Sequence, residues 1–472
     1  MHAKLLPLLL CIPSLAAAED VLGLYIFHRH GDRTAKAWKP VNFTALGADE
    51  VHSSGSWYRD TYVSEDASRK IKKLSADTAV LSQLSVTAPV DAVLQNSALV
   101  FLQGLYPPTK RTETLANGTK VEAPLSGYQY IPVNSVESAA SDKDSENGAW
   151  LQGNSGCNNA EVSSNDYFSS KEYSETYKDS EDFYQSLLPV INGTYGKKDA
   201  SFKNAYTIFD LINVARIHNS SIPSEKLLTE STLDRLYNLA SVHEWNLAYN
   251  SSEPVRAIAG SVLAGQILEA LEPIAKSTPK TPKMNVQFGA YGAFMAFFGL
   301  AGLEKASLDF TGVVDYASSM AFELVTNATK PTEDDVGVRF YFANGTAGEH
   351  TPKLFPLFGG KETTISWKAF KADMSKFAIK DTNHWCKLCG NTDGTCASSS
   401  DDDGDDSASS ESNFGGSGNG ISKPVAGVIG ALVTLGVILG IEAAVFVLGG
   451  LRLVKKSTLT TANSSPASSV KA

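Results

Sequence analysis

The sequence predicts an α/β domain carried outside the cytosol by a single transmembrane helix, and three observations lead there. Strand-like and helix-like runs are interspersed between residues 19 and 396, a length sufficient for one large or two fused domains. The chain opens with the charged, apolar and small-residue order of a secretory signal: Lys4, then Leu5 to Pro13, then Ala16-Ala17-Ala18. A second apolar block, Val425 to Leu451, is long enough to cross a bilayer.

Taken in order, residues 1–18 read as a signal peptide cleaved after Ala18, so the mature chain starts at Glu19. The apolar run Val21-Leu22-Gly23-Leu24-Tyr25-Ile26-Phe27 follows at once and reads as a buried strand. Where it ends stands Arg29-His30-Gly31-Asp32-Arg33-Thr34, one imidazole between two guanidiniums. The C-terminal end of a strand is the usual ligand position in open α/β folds. Arginine stays charged and presents a planar fork to phosphate oxygens, so Arg29 and Arg33 are expected to grip a phosphoryl group while His30 attacks phosphorus in line. Gly31 lets backbone approach. Further along, Thr207 to Arg216, Lys226 to Leu247 and Val255 to Leu271 space apolar residues as helices do, so the middle block is mainly helical. Val336 to Asn344 alternates like a strand and ends in the turn-prone Asn344-Gly345.

Residues 19–396 thus form the ectodomain. The segment 397–423 is rich in Ser, Gly and Asp, cannot bury a core, and reads as a disordered stalk. Residues 424–451 are the expected transmembrane helix; Arg452, Lys455 and Lys456 behind it predict a cytoplasmic tail over 452–472 and type I topology. Sequons at Asn42, Asn117, Asn192, Asn219, Asn250, Asn327 and Asn344 agree with a secretory route, whereas Asn463 falls in the tail. Apart from Cys11 in the signal, Cys157, Cys386, Cys389 and Cys396 make an even set, expected as two disulfides with three open connectivities. The Cys386-x-x-Cys389 spacing also occurs in zinc sites, but no second CxxC or His pair completes one, and no cofactor or metal is called for. A net charge of −10 argues against nucleic acid as a partner.

The Arg29 to Thr34 motif resembles the signature of the histidine acid phosphatase family, Arg-His-Gly-x-Arg-x-Pro, with Ala35 where proline is usual. The resemblance continues in Gly55 to Asp60 with Tyr62, in Ser97-Ala98 and Phe101 to Pro108, in Arg256 to Gly260, in the Val336 strand and in the cysteine-rich end of the domain. It implies a three-layer domain with a mostly parallel central sheet and the helical block as an inserted subdomain. It further implies phosphomonoester hydrolysis through a phosphorylated His30, which divides one hard displacement into two easier ones. The expected partners are a phosphate or phosphomonoester ligand and, through one helix, a membrane.

Two parts of the family's pattern are missing. Counting back from Gly302-Leu303 places Ala290 and Tyr291 where the family has a His-Asp pair that protonates the leaving alcohol. Tyr291, with a reference pKa near ~10, is a reluctant acid. Counting back from Ser97 places Thr87 and Val93 where two arginine positions are expected. Losing a general acid costs about 10²- to 10⁴-fold, so slow turnover is expected, with an inactive anion- or partner-binding surface glycoprotein as the alternative. Of the remaining candidates, Asp32 reads as the variable position of the motif, Glu349-His350 as a turn-exposed pair, and His218 and His243 as surface or packing residues. His28 is expected either to share the face of His30 or to cap the sheet.

Overall fold

From Val21 onward the first strand is buried along its whole length, because its alternate side chains serve two different cores. The computed structural model describes residues 19–136, 156–219, 222, 226–392 and 396–397; all lie in the first of two compact units, Met1–Asp403. The expected signal, transmembrane helix and tail, nearly all of the stalk, and Asn463 fall outside the described residues. Along the chain run β1 (Asp20–Arg29), α1 (Ala45–Tyr62), β2 (Leu84–Pro89), α2 (Ala92–Leu105) and β3 (Asn134–Val136). Next come α3 (Asn158–Asp166), α4 (Ala205–His218), α5 (Glu230–Ala248) and α6 (Ile258–Ala275). Then follow β4 (Met284–Gly289), α7 (Tyr291–Leu300), β5 (Ser319–Thr326), β6 (Gly337–Ala343), β7 (Lys353–Phe355), β8 (Thr364–Ser366), α8 (Trp367–Met374) and α9 (Thr382–Cys389).

One eight-stranded sheet runs in the order β8-β6-β5-β1-β4-β2-β3, with β7 added on β6. Leu24 and Ile26 of β1, Val86 of β2 and Phe288 of β4 pack against α1 and α2 on one face. Tyr25 and Phe27 of β1 with Phe322 of β5 pack against α6 and α7 on the other. This is the period-two alternation of a strand buried on both sides. Helix starts follow side-chain chemistry: Thr44 caps α1 by accepting from Gly47 N, and Asp91 caps α2 by accepting from Val93 N and Leu94 N.

The expectation of a mostly parallel sheet is corrected. Pairing is parallel only among β1, β4, β2 and β3, while β5, β6, β7 and β8 join antiparallel. The second set follows in sequence through connections that are short and contain no crossover helix, which parallel pairing requires. The helical middle block appears as expected in α4, α5 and α6. It has its own core around Tyr184, Phe202, Ile208, Leu211 and Leu236. Helix Pro254–Ala275 has the length and apolarity to span a bilayer, but it is 72% buried within the fold. The four cysteines pair as Cys157–Cys389 and Cys386–Cys396.

Candidate functional site

His30 stands one residue past β1, at the sheet edge where β4 also ends: Arg29 pairs in register with Gly289. The loop that carries it is held by close backbone approach. A Cβ on Gly31 would lie 2.3 Å from Gly47 O, and one on Gly47 would lie 2.2 Å from Asp32 O, so the loop and α1 both need glycine there. Gly31 N also donates to Ser97 Oγ of α2 at 3.2 Å. His30 is 1% exposed. Its Nδ1 lies 2.8 Å from the Gly31 carbonyl, which places the proton on Nδ1 and the lone pair on Nε2.

The three residues of the motif meet around Tyr316. Its ring centroid is 4.6 Å from Arg29 Cζ, 5.6 Å from Arg33 Cζ and 5.6 Å from the His30 ring. Arg29 donates through Nη1 to the Val314 carbonyl. Arg33 pairs with Asp210 of α4, Nη2 to Oδ1 at 3.0 Å, and both side chains are almost fully buried. Asp210 also accepts from Lys36 N at 2.8 Å and from Tyr316 Oη at 3.3 Å. Burial pushes the phenols of Tyr316 and Tyr206 up, so both stay neutral donors.

Asp32 turns away from solvent. Its Oδ1 accepts from Thr44 Oγ1 and lies 2.6 Å from His218 Nε2, at the last residue of α4. His218, read from sequence as a surface or packing residue, therefore ties α4 to the motif. Glu50 of α1 accepts from Asp32 N at 2.7 Å. Partial burial is the main cause that pushes Glu50 up to about 7, with a further push from the Asp32 charge and an opposing pull from that hydrogen bond and from Arg29. Asp315 is raised as well, chiefly by burial, against Arg29 and His350. Glu349 and His350 are exposed, as a turn pair should be.

His28 neither shares the cleft with His30 nor caps the sheet. It is fully buried between Phe101 and Phe288, with ring centroids 5.2 and 5.1 Å away. Burial pushes its imidazole down to about 4. Ala290 caps α7 without a side-chain hydrogen bond, and Tyr291 is that helix's first residue. The Tyr291 ring lies 5.5 Å from Arg29 Cζ, and its Oη donates to Glu244 Oε2 of α5 at 2.7 Å. Val93 is buried in the first turn of α2. Thr87 lines a cleft with Asn285 and Gln287. Among the described residues no group of three or more His, Cys, Asp or Glu is placed to hold a metal ion. Sequence reasoning missed Asp210, Tyr316, Lys36 and Glu244. Only Asp210 carried a local signal, as one carboxylate inside an otherwise apolar helical run.

The site thus sets a histidine flanked by two arginines at the end of the first strand of a mixed α/β sheet. The chain belongs to the histidine phosphatase superfamily (branch 2), whose profile matches residues 36–343. That match begins just beyond Arg29 to Thr34, so the signature adds to it independently. Among solved structures the chain is similar to the phytase from Citrobacter braakii, with TM-score 0.52, 12% identity, and coverage of 78% of this chain and 99% of that one. It is similar to the Klebsiella sp ASR1 phytase, with TM-score 0.53, 12% identity, and coverage of 77% and 95%. It is also similar to the Hafnia alvei phytase in complex with myo-inositol hexakis sulphate, with TM-score 0.52, 15% identity, and coverage of 79% and 99%. These likenesses show the fold. No curated protein sequence matches the chain.

Proposed function

We propose that this chain is a membrane-anchored phosphomonoesterase that works through a phospho-His30 intermediate. The observation that carries the reading is the meeting of His30, Arg29 and Arg33 around the Tyr316 ring at a strand's C-terminal end. With Nδ1 held by the Gly31 carbonyl, the Nε2 lone pair is the nucleophile. Arg29 and Arg33 receive the phosphoryl oxygens and offset the charge that grows on them in the transition state. Water then attacks the phosphohistidine and releases phosphate. The phytase structures, one with an inositol hexakis sulphate bound, support an oxyanion ligand for this fold.

Turnover is weak, because Ala290 and Tyr291 stand at the positions of the usual acid pair and Thr87 and Val93 offer no third guanidinium. The buried disulfides favour an oxidising compartment. With the apolar run 424–451, they support a type I single-pass protein with its domain on the cell surface or on the lumenal side of a secretory membrane. A second reading, an inactive glycoprotein that binds an anion or a partner, draws on Asp210, which already neutralises Arg33. The test is hydrolysis of p-nitrophenyl phosphate by the purified full-length chain from acidic to neutral pH, beside His30→Ala. Hydrolysis that the substitution abolishes supports the esterase. Two equally inert preparations, with phosphate still raising the melting temperature of the unaltered chain, select the binding module.

A further inference from the structure

We propose that Glu244, acting through Tyr291, supplies the proton that the leaving alcohol requires, so that a carboxyl on α5 replaces the acid absent from the β4–α7 turn. The inference rests on the phospho-His30 reading above. Tyr291 opens α7 directly beside the end of β1, and its ring faces the two cations of the cleft, 5.5 Å from Arg29 Cζ and 5.6 Å from Lys36 Nζ. The Tyr206 ring of α4 packs against it in a tilted contact, centroids 4.5 Å apart. Its hydroxyl is 2.7 Å from Glu244 Oε2, and the other oxygen of that carboxyl is 2.8 Å from His243 Nδ1. Three side chains thus form one hydrogen-bonded line from the buried subdomain to the cleft.

The far end of the line is rigid. His243 is 6% exposed and is packed edge-on against Phe202 at 5.3 Å. Its Nε2 is buried with no hydrogen-bond partner. A buried nitrogen without a partner is cheaper as a bare lone pair than as an N–H, so the proton sits on Nδ1 and donates to Glu244 Oε1. That bond leaves Oε2 for Tyr291. A bond chain that only tied α5 to α7 would not need its phenol ring turned toward Arg29 and Lys36.

A phenol alone is too weak an acid for this step; a carboxyl within hydrogen-bond reach of it can replace its proton as that proton leaves. In the forward step the bond from His30 Nε2 to phosphorus forms and the bond from phosphorus to the ester oxygen breaks. The bonding pair passes to that oxygen, which takes the Tyr291 proton while Tyr291 takes the Glu244 proton. Glu244 is left as a carboxylate that accepts from both Tyr291 and His243. In the second step water attacks phosphorus, the phosphorus to Nε2 bond breaks, and the water proton returns through Tyr291 to Glu244. Tyr291 is then the catalytic residue, and Glu244 and His243 hold and position the proton.

The experiment compares kcat/KM for two esters, p-nitrophenyl phosphate, whose leaving group needs little protonation, and an alkyl phosphate such as glycerol 2-phosphate, whose leaving group needs a full proton. Full-length chain, Glu244→Gln, Tyr291→Phe and His30→Ala are assayed. Glu244→Gln keeps hydrogen-bonding capacity toward both neighbours, so it preserves the packing. The expected result is that Glu244→Gln and Tyr291→Phe each raise the aryl-to-alkyl ratio by about 10²-fold, the size of a lost general acid. Equal losses on both esters, or no loss, overturn the proposal while hydrolysis still depends on His30. Hydrolysis that survives His30→Ala, or an absence of hydrolysis in the unaltered chain, overturns the phospho-His30 reading and this proposal with it.

Discussion

The guanidinium of Arg33 and the carboxylate of Asp210 lie 3.0 Å apart with exposures of 1% and 3%, so each is the other's replacement for water. Removing one member of such a pair leaves a buried charge uncompensated and costs about 3–5 kcal/mol. Arg33 would then hold two roles in turn: anchor of α4 to the β1 loop in the empty site, and phosphate ligand in the occupied one. Asp210→Asn separates them. The variant is expected to lose about 3 kcal/mol of stability in phosphate-free urea titrations, because the amide that replaces the carboxylate carries no charge to offset Arg33. Phosphate should restore more stability to Asp210→Asn than to the unaltered chain, since the anion takes the vacated place. An equal phosphate effect in both would mean that Arg33 does not meet the ligand.

At the scale of elements, β1 couples the fold to pH through His28. The strand's parity puts His28 with Ile26 and Leu24 on the face covered by α1 and α2, and burial there holds its imidazole down to about 4, against 6.5 for an ordinary histidine. Between those values the unfolded chain binds a proton that the folded chain refuses, so stability falls as pH drops from about 6.5 toward 4 and is complete above that window. At roughly 1.36 kcal/mol per unit, His28 accounts for up to about 3 kcal/mol of acid sensitivity. His28→Phe, in a pocket already walled by Phe101 and Phe288, should therefore shrink the difference between urea midpoints at pH 7 and pH 4.5. An unchanged difference would assign the sensitivity elsewhere. The same strand shows what could be read in advance. Its apolar run, the motif at its end, and the helices α4 to α6 are local patterns, legible within a few turns of chain. The direction of β5 to β8 was not, because it depends on the absence of crossovers. Nor was the rest of the site, since Asp210 of α4, Glu244 of α5 and Tyr316 in the loop before β5 are far apart in sequence and meet only after folding.

Across the whole described molecule, the two disulfides act on different lengths of chain. Cys157 precedes α3 and joins Cys389 at the end of α9, a separation of 232 residues, whereas Cys386 and Cys396 are separated by 10. The long link closes the helical subdomain's start onto the domain's last helix, beside a small core of Ile258, Val262, Ile379 and Trp385. Hydrogen bonds repeat that junction: Asn159 Nδ2 donates to Leu388 O at 2.8 Å, and Asn158 N donates to Asn391 Oδ1 at 3.2 Å. In the chain-entropy account a cross-link stabilises by restricting the unfolded chain, with a logarithmic dependence on loop length. The ratio of the two separations then makes Cys157–Cys389 the stronger staple by roughly 2–3 kcal/mol. Strain and residual denatured structure can offset that gap, but both links here lie in one packed cluster, which equalises the native-state side of the comparison. The paired serine variant at Cys157 and Cys389 should accordingly unfold at lower urea than the paired serine variant at Cys386 and Cys396. Both should lie below the unaltered chain, and the order should be lost once dithiothreitol reduces all three. The reverse order under oxidising conditions would show that packing around α9, rather than closure of the long loop, holds the subdomain in place.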